Sequence, residues 1–173
     1  MISFCSRMFS KSMHISFPML SVLALIVGCQ QVQSVSADKE IIQYTSYNPE
    51  FIKNIFDGSW NDDRSYTLKG NLILPQGQGP FPVVVFQHGS GVPNHWNYRD
   101  WYSKLAERLI SKNIALVMAD SYSGRGIGET SKDQSKLSKA ARITDVFMLL
   151  KALNNHPKID ATRSGIMGTS FKI

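Results

Sequence analysis

Apolar residues along this chain follow two rhythms that take turns. Val83-Val84-Val85-Phe86 and Ile114-Ala115-Leu116-Val117-Met118 are unbroken apolar runs, the pattern of strands covered on both faces. Tyr98, Trp101, Tyr102, Leu105 and Leu109 recur instead at helical spacing, as do Ile143, Val146, Phe147, Leu150 and Leu153. The first set predicts a helix over 98–111. The second predicts one over about 139–154, stopped by His156-Pro157. Arg163 to Gly168 (RSGIMG) begins a further strand. Upstream, Tyr66 to Leu74 alternates well enough for a half-exposed antiparallel strand ended by Pro75, and QGQGPFP (76–82) is a turn. Strand, helix, strand, helix, strand with short joins predicts an α/β fold, a mostly parallel sheet with flanking helices and right-handed crossovers. The chain shows no internal repeat and no low-complexity segment.

The first residues have a different character. Arg7, Lys11 and His14 make a basic start, and Ile15 to Val27 (ISFPMLSVLALIV) is a mostly apolar stretch of 13 residues, too short to span a bilayer comfortably. Ile26-Val27-Gly28-Cys29 follows and resembles the bacterial lipobox, whose cysteine receives lipid and becomes the new N-terminus. Residues 1–28 are therefore expected to be a lipoprotein-type signal peptide and 29–40 a polar tether, with the domain over 41–173. A plain cleaved signal, or a buried cysteine ending a short helix, are the competing readings. Gln30, not Asp, after the cysteine fits outer-membrane sorting. The expected location is the cell envelope, by lipid anchor or by release to the periplasm.

Length and charge narrow the classes. A chain of 173 residues allows one domain. From Cys29 onward 17 Lys and Arg stand against 13 Asp and Glu, a net of +4 without any dense cluster, so nucleic acid is not an expected partner. Cys5 and Cys29 are the only cysteines, which leaves the expected mature body without a thiol for a disulfide, a catalytic Cys or a Cys-type zinc site. His88, His95 and His156 have no histidine partner at metal-ligand spacing, so neither a metal nor another cofactor is expected.

The chemistry gathers at two glycine-containing turns. Gly168-Thr169-Ser170-Phe171 ends the last strand, and a Gly two residues before a Ser at a sharp strand-to-helix turn is half of a nucleophile elbow. The other half, a small residue two after the Ser, is occupied by Lys172. Gln87-His88-Gly89-Ser90-Gly91 follows the first buried strand, where glycines let the backbone approach a substrate and aim N–H groups at a developing oxyanion. Gly89 and Phe171 are the candidate oxyanion donors and Ser170 the candidate nucleophile.

PFPVVVFQHGSG, LAERLISKNIALVMADSYSGRG and DVFMLLKALNNHPKIDATRSGIMGTSF, in that order, resemble the dienelactone-hydrolase family of the α/β-hydrolase superfamily and its secreted relatives. The likeness runs from about residue 66 to residue 171. It implies hydrolysis of a small-molecule carboxylic ester or lactone through an acyl-enzyme, with Ser170 replacing the cysteine of the founding members. It also implies that the triad Asp and His come later in the chain, after further strands. Only Lys172 and Ile173 follow Phe171, so the expectation is a domain cut short after the elbow, inactive for want of a base. Ser164 to Thr169 would then be an exposed edge.

The remaining polar residues are weighed against plainer roles. His88 is expected to orient backbone, Asp120 to fix the loop after its strand, and Asp145 and Asp160 to be solvated or capping. Arg125 is expected to stabilise its loop, with a substrate carboxylate as the alternative. Trp96, Tyr98 and Trp101 could line a pocket, although helix packing suffices for Trp101. The rival functional reading is a short envelope lipoprotein that acts as a non-catalytic binding module.

Overall fold

The computed structural model describes residues 37–59, 65–91 and 96–169, the side chains of 96–99 excepted. Cys29, His95, Ser170, Phe171 and Lys172 lie outside the described residues, as do the side chains of Trp96 and Tyr98. Five strands form one mixed sheet: β1 (Ala37–Ser46), β2 (Tyr66–Pro75), β3 (Phe81–Gln87), β4 (Ala115–Asp120) and β5 (Ile159–Gly168). Their spatial order is β1-β2-β4-β3-β5. β1 and β4 each pair antiparallel with β2, and β3 pairs parallel with both β4 and β5. The helices are α1 (Ile52–Asp57), α2 (Trp96–Ile110) and α3 (Lys139–Leu153).

The unbroken apolar runs sit where such runs must. Val83, Val85, Ala115 and Val117 face α3, where they meet Val146, Leu149 and Leu153. Val84, Phe86, Leu116 and Met118 face α2, where they meet Tyr102, Leu105 and Ala106. Successive strand side chains point to opposite faces, so only a strand with a helix on each side can be apolar at every position. Full burial of each large apolar side chain is worth roughly 1.5–3 kcal/mol, which is why β3 and β4 anchor the domain. Gly70 of β2 lies under α3, and a Cβ there would stand 2.9 Å from Leu149 Cδ1. Glycine lets the helix settle on the sheet.

Several elements differ from the sequence reading. β1 begins at Ala37, inside the segment expected to be a tether. Only Tyr44 and Ser46 are buried along it, so an edge strand with one wet face looks like polar linker. On α3 the expected apolar stripe is only partly the core. Val146, Leu149 and Leu153 are buried, but Ile143 and Phe147 are 38% and 54% exposed. Arg142, Thr144 and Asp145 take places on the buried face instead. β5 starts at Ile159, ahead of the expected Arg163, with a register break opposite Pro82/Val83. Among the described strands it is the last of the sheet, and Ile166 and Met167 on it are exposed.

Candidate active site

Strand order decides where chemistry can gather. From β3 the chain crosses through α2 to β4 on one side, then through α3 to β5 on the other. A crevice opens at the carboxyl ends of parallel strands where the order reverses in this way, and ligands of open α/β sheets bind there. Gln87, at the end of β3, pairs with Gly168 at the end of β5, and Thr169 N–H donates to Gln87 O at 3.3 Å. The loop beginning His88-Gly89-Ser90 and the segment that leads directly into Ser170 thus leave the sheet side by side. The structure brings Gly168 and Thr169 beside Gln87, where the loop with His88 and Gly89 begins; Ser170 and Phe171 are not among the described residues.

His88, directly after β3, is fully buried. Ser121 N–H donates to its Nε2 at 3.3 Å, which leaves Nδ1 to carry the proton and donate to Gly89 O at 2.7 Å. Burial, then the nearby Arg142 guanidinium, push its imidazole down to about 4 against an opposing contribution from the Gly89 carbonyl. Both ring nitrogens are engaged with backbone and the ring stays neutral. His88 therefore ties the end of β4 to the loop after β3, the orienting role expected of it. A side chain so held is a poor proton acceptor.

Three further side chains, none singled out by the sequence, complete the support of this loop. Arg142, on α3 and 6% exposed, donates from Nη2 to His88 O and from Nη1 to Tyr122 Oη at 2.7 Å. Tyr122 Oη donates to Gly89 O at 3.2 Å and lies 2.7 Å from Thr130 Oγ1. Thr130 N–H donates to Ser90 O at 2.9 Å. The Tyr122 ring packs edge-on against His88, 4.4 Å between centroids. The available signal in the sequence was a cation on the sheet-facing side of a helix, which must find acceptors in the core.

The loop after β4 is fastened separately. Asp120 accepts from Tyr122 N–H at 2.9 Å and from Ser123 N–H at 3.0 Å, the loop-fixing role expected of it. A Cβ on Gly124 would lie 2.2 Å from Thr67 O, so only glycine allows this close approach to β2. Arg125 stabilises its loop and is not placed for a substrate. Its guanidinium grips Asp145 at 2.7 and 2.8 Å, with side-chain exposures of 1% and 0%. Asp145, expected to be solvated or capping, is thus a buried ion-pair partner, because Arg125 and Ser46 Oγ (2.5 Å) supply the donors that let a carboxylate leave water. Asp160 does cap its own turn, accepting from Thr162 N–H at 3.1 Å. His156 precedes β5, at the opposite end of the sheet, 3.0 Å from Glu40. Trp101 is 42% exposed yet packs on Phe86, 5.1 Å between ring centroids, on the α2 face.

Beside the strand ends, between α3 and β5, lies an open groove of about 640 Å³. Ile143, Phe147 and Ile166 give it an apolar wall, while Gln87, Lys139 and Arg142 border it at the end nearest the loop.

No protein-family model matches the chain. No curated protein matches it either. Solved structures do. A dienelactone hydrolase-like promiscuous phosphotriesterase from metagenomic libraries aligns at a TM-score of 0.52 and 20% identity, over 78% of this chain and 50% of its own. DcsB, solved with its substrate analogue, aligns at 0.50 and 14% identity over 78% of this chain and 38% of its own. A glucuronoyl esterase from Teredinibacter turnerae aligns at 0.47 and 19% identity, over 82% and 37%. This chain spans half or less of the length of each of them. What the chain shares with the first two is the fold, a mixed sheet with flanking helices.

Proposed function

We propose that this chain carries the nucleophile and oxyanion part of a serine hydrolase for carboxylic esters or lactones, of dienelactone-hydrolase type. The observation that supports the reading is the juxtaposition of the buttressed His88–Ser90 loop with the end of β5, two residues before Ser170, at the switch point of the sheet. In this reading Ser170 Oγ attacks the carbonyl carbon while the N–H groups of Gly89 and Phe171 hold the oxyanion. The tetrahedral intermediate collapses with cleavage of the ester C–O bond, the serine's proton passing through a base to the leaving oxygen. That oxygen stays tethered to the acyl group when the substrate is a lactone, and water then cleaves the acyl-enzyme.

A serine needs a base for this, and the described histidines and buried carboxylates are committed elsewhere. Both nitrogens of His88 are engaged and Asp145 is locked to Arg125. Asp120 holds its own loop and His156 lies at the far end of the sheet. We therefore expect residues 30–173 alone to show no Ser170-dependent turnover of an activated ester. Prolonged exposure to p-nitrophenyl acetate should still acetylate Ser170 ahead of the other serines, as read by peptide mass spectrometry. Acetyl groups spread evenly over the serines would remove Ser170 as the nucleophile. Turnover that Ser170→Ala abolishes would refute the inactivity and make His88 the first base to test.

The apolar wall of the groove favours one second reading, a non-catalytic binding module; a soluble monomer with a sharp thermal transition and an unreactive Ser170 would put it first. In either case we propose attachment at the cell envelope through lipid on Cys29, as a lipobox-like IVGC after a short apolar stretch suggests. Mass spectrometry of the N-terminus after expression in a Gram-negative host should find a modified Cys29; an unmodified one rules the anchor out.

A further inference from the structure

Arg142 occupies a core-facing position of α3 where its neighbours Val146, Leu149 and Leu153 are apolar. A guanidinium is tolerated there only if it finds strong acceptors. Those it finds belong to the loop after β3: His88 O through Nη2, and Gly89 O at 3.4 Å through Nη1. Its Nη1 also donates to Tyr122 Oη at 2.7 Å, and Tyr122 in turn donates to Gly89 O at 3.2 Å. The guanidinium carbon lies over the Tyr122 ring, 5.5 Å from its centroid. Two successive carbonyls are thus drawn toward one buried cation and the phenol it orients.

A planar trans peptide points its N–H opposite to its C=O. Among the described residues the only cis bond is Gly79-Pro80, so the peptides after His88 and Gly89 are trans. Drawing His88 O and Gly89 O toward Arg142 turns the N–H groups of Gly89 and Ser90 the other way. We propose that Arg142 is a positioning residue of this site: by clamping these two carbonyls from α3 it sets the direction of the Gly89 and Ser90 N–H groups. Their use on an oxyanion rests on the ester-hydrolase reading, whereas the clamp does not.

Lysine and methionine variants separate positioning from bulk support. Lysine keeps a cation near His88 but has no fork to reach both carbonyls and Tyr122 together. Methionine removes the charge as well. The readout is nitrogen-15 NMR of selectively labelled glycine and serine amides and of the histidine rings, in the full chain at a concentration where it is monomeric. Besides Arg142, the groups around the His88 ring are Tyr122 and the more distant Asp120. Arg142→Met should shift the Gly89 and Ser90 signals and raise the His88 titration from about 4, leaving it below 6.5 because burial remains. Arg142→Lys should shift the same two amides while His88 stays low, with the Gly70 and Gly165 signals unmoved in both variants. Gly89 and Ser90 signals that stay at their wild-type positions in Arg142→Lys would overturn the proposal. Collapse of the whole spectrum in that variant would also overturn it, by making Arg142 a general support of the fold. Ser170→Ala should leave all these signals in place, so failure of the ester-hydrolase reading appears in acetylation and turnover and not here.

Discussion

Replacing Arg125 by methionine should be among the most damaging single changes to this fold. All five N–H donors of the guanidinium are used. Nε donates to Asn48 Oδ1 at 2.6 Å, Nη1 to Ser121 O and Asp145 Oδ2 at 2.8 Å each, and Nη2 to Tyr47 O at 3.0 Å and Asp145 Oδ1 at 2.7 Å. The group also lies over the Tyr66 ring, 5.1 Å from its centroid. It therefore joins β2, the β1–α1 connection, the loop after β4 and α3. Its removal leaves Asp145 buried with Ser46 as its remaining side-chain donor. Breaking one side of a buried pair costs about 3–5 kcal/mol, against a total stability of about 5–15 kcal/mol for a typical domain. In a domain of this size that corresponds to a fall in Tm of roughly 10–20 °C. Thermal unfolding followed by circular dichroism would measure it, with Asp145→Leu and the double variant completing a cycle. The double variant should recover much of the loss, since it leaves no orphaned charge. A cost for Arg125→Met under about 1 kcal/mol, the range of exposed pairs, would refute the reasoning.

Three other outcomes follow from buried or exposed groups. His88 is held neutral down to about 4, while the unfolded chain takes up its proton near 6.5. Its contribution to stability is therefore intact above about pH 6.5 and is lost as pH falls toward 4, by about 3 kcal/mol in all; an acid slope that persists unchanged in His88→Asn would assign it elsewhere. Tyr44 Oη is buried without a hydrogen-bond partner among the described residues, so Tyr44→Phe should be neutral or stabilising by up to about 1 kcal/mol in denaturant unfolding; a loss of that size would show that the hydroxyl has a partner. Ile166→Lys, which charges the exposed edge of β5, should reduce concentration-dependent self-association in sedimentation experiments; undiminished association would show that β5 is not the sticky edge.

The layered α/β architecture was legible because β3 and β4 are covered on both faces, and their unbroken apolar runs leave no other placement. Of the candidate site, the glycine-containing turns at the ends of β3 and β5 were legible, since tight backbone approach leaves its mark in residue type, while Ser170 and Phe171 lie outside the described residues. β1 was not legible. An edge strand with one wet face has the same composition as a linker, and only pairing with β2 distinguishes them. Asp145 and Arg142 were misjudged or missed for a common reason. A charged residue on a helix reads as solvent-facing unless its partner is known, and those partners are 20 residues away at Arg125 and 53 or more away at Gly89 and His88. Ile143 and Phe147 show the converse. Apolar periodicity marks a face that avoids water without saying which neighbour covers it.

The sheet divides its apolar burial unequally. Among the described residues, which leave out the side chains of 96–99 on α2, the apolar cluster on the α3 side joins fourteen buried side chains and the one on the α2 side four. Resistance to local opening follows the apolar area that must be re-exposed, so the two faces should not loosen together. α2 can lift from Phe86, Leu116 and Met118 while α3, β2 and the Arg125–Asp145 pair stay closed. Amide hydrogens of α2 should accordingly exchange with solvent well before those of α3, and equal rates would mean that the sheet opens as one unit. The loop from His88 to Ser90 hangs from the slower half, through Arg142, so its geometry is insured against the more frequent fluctuation of the other.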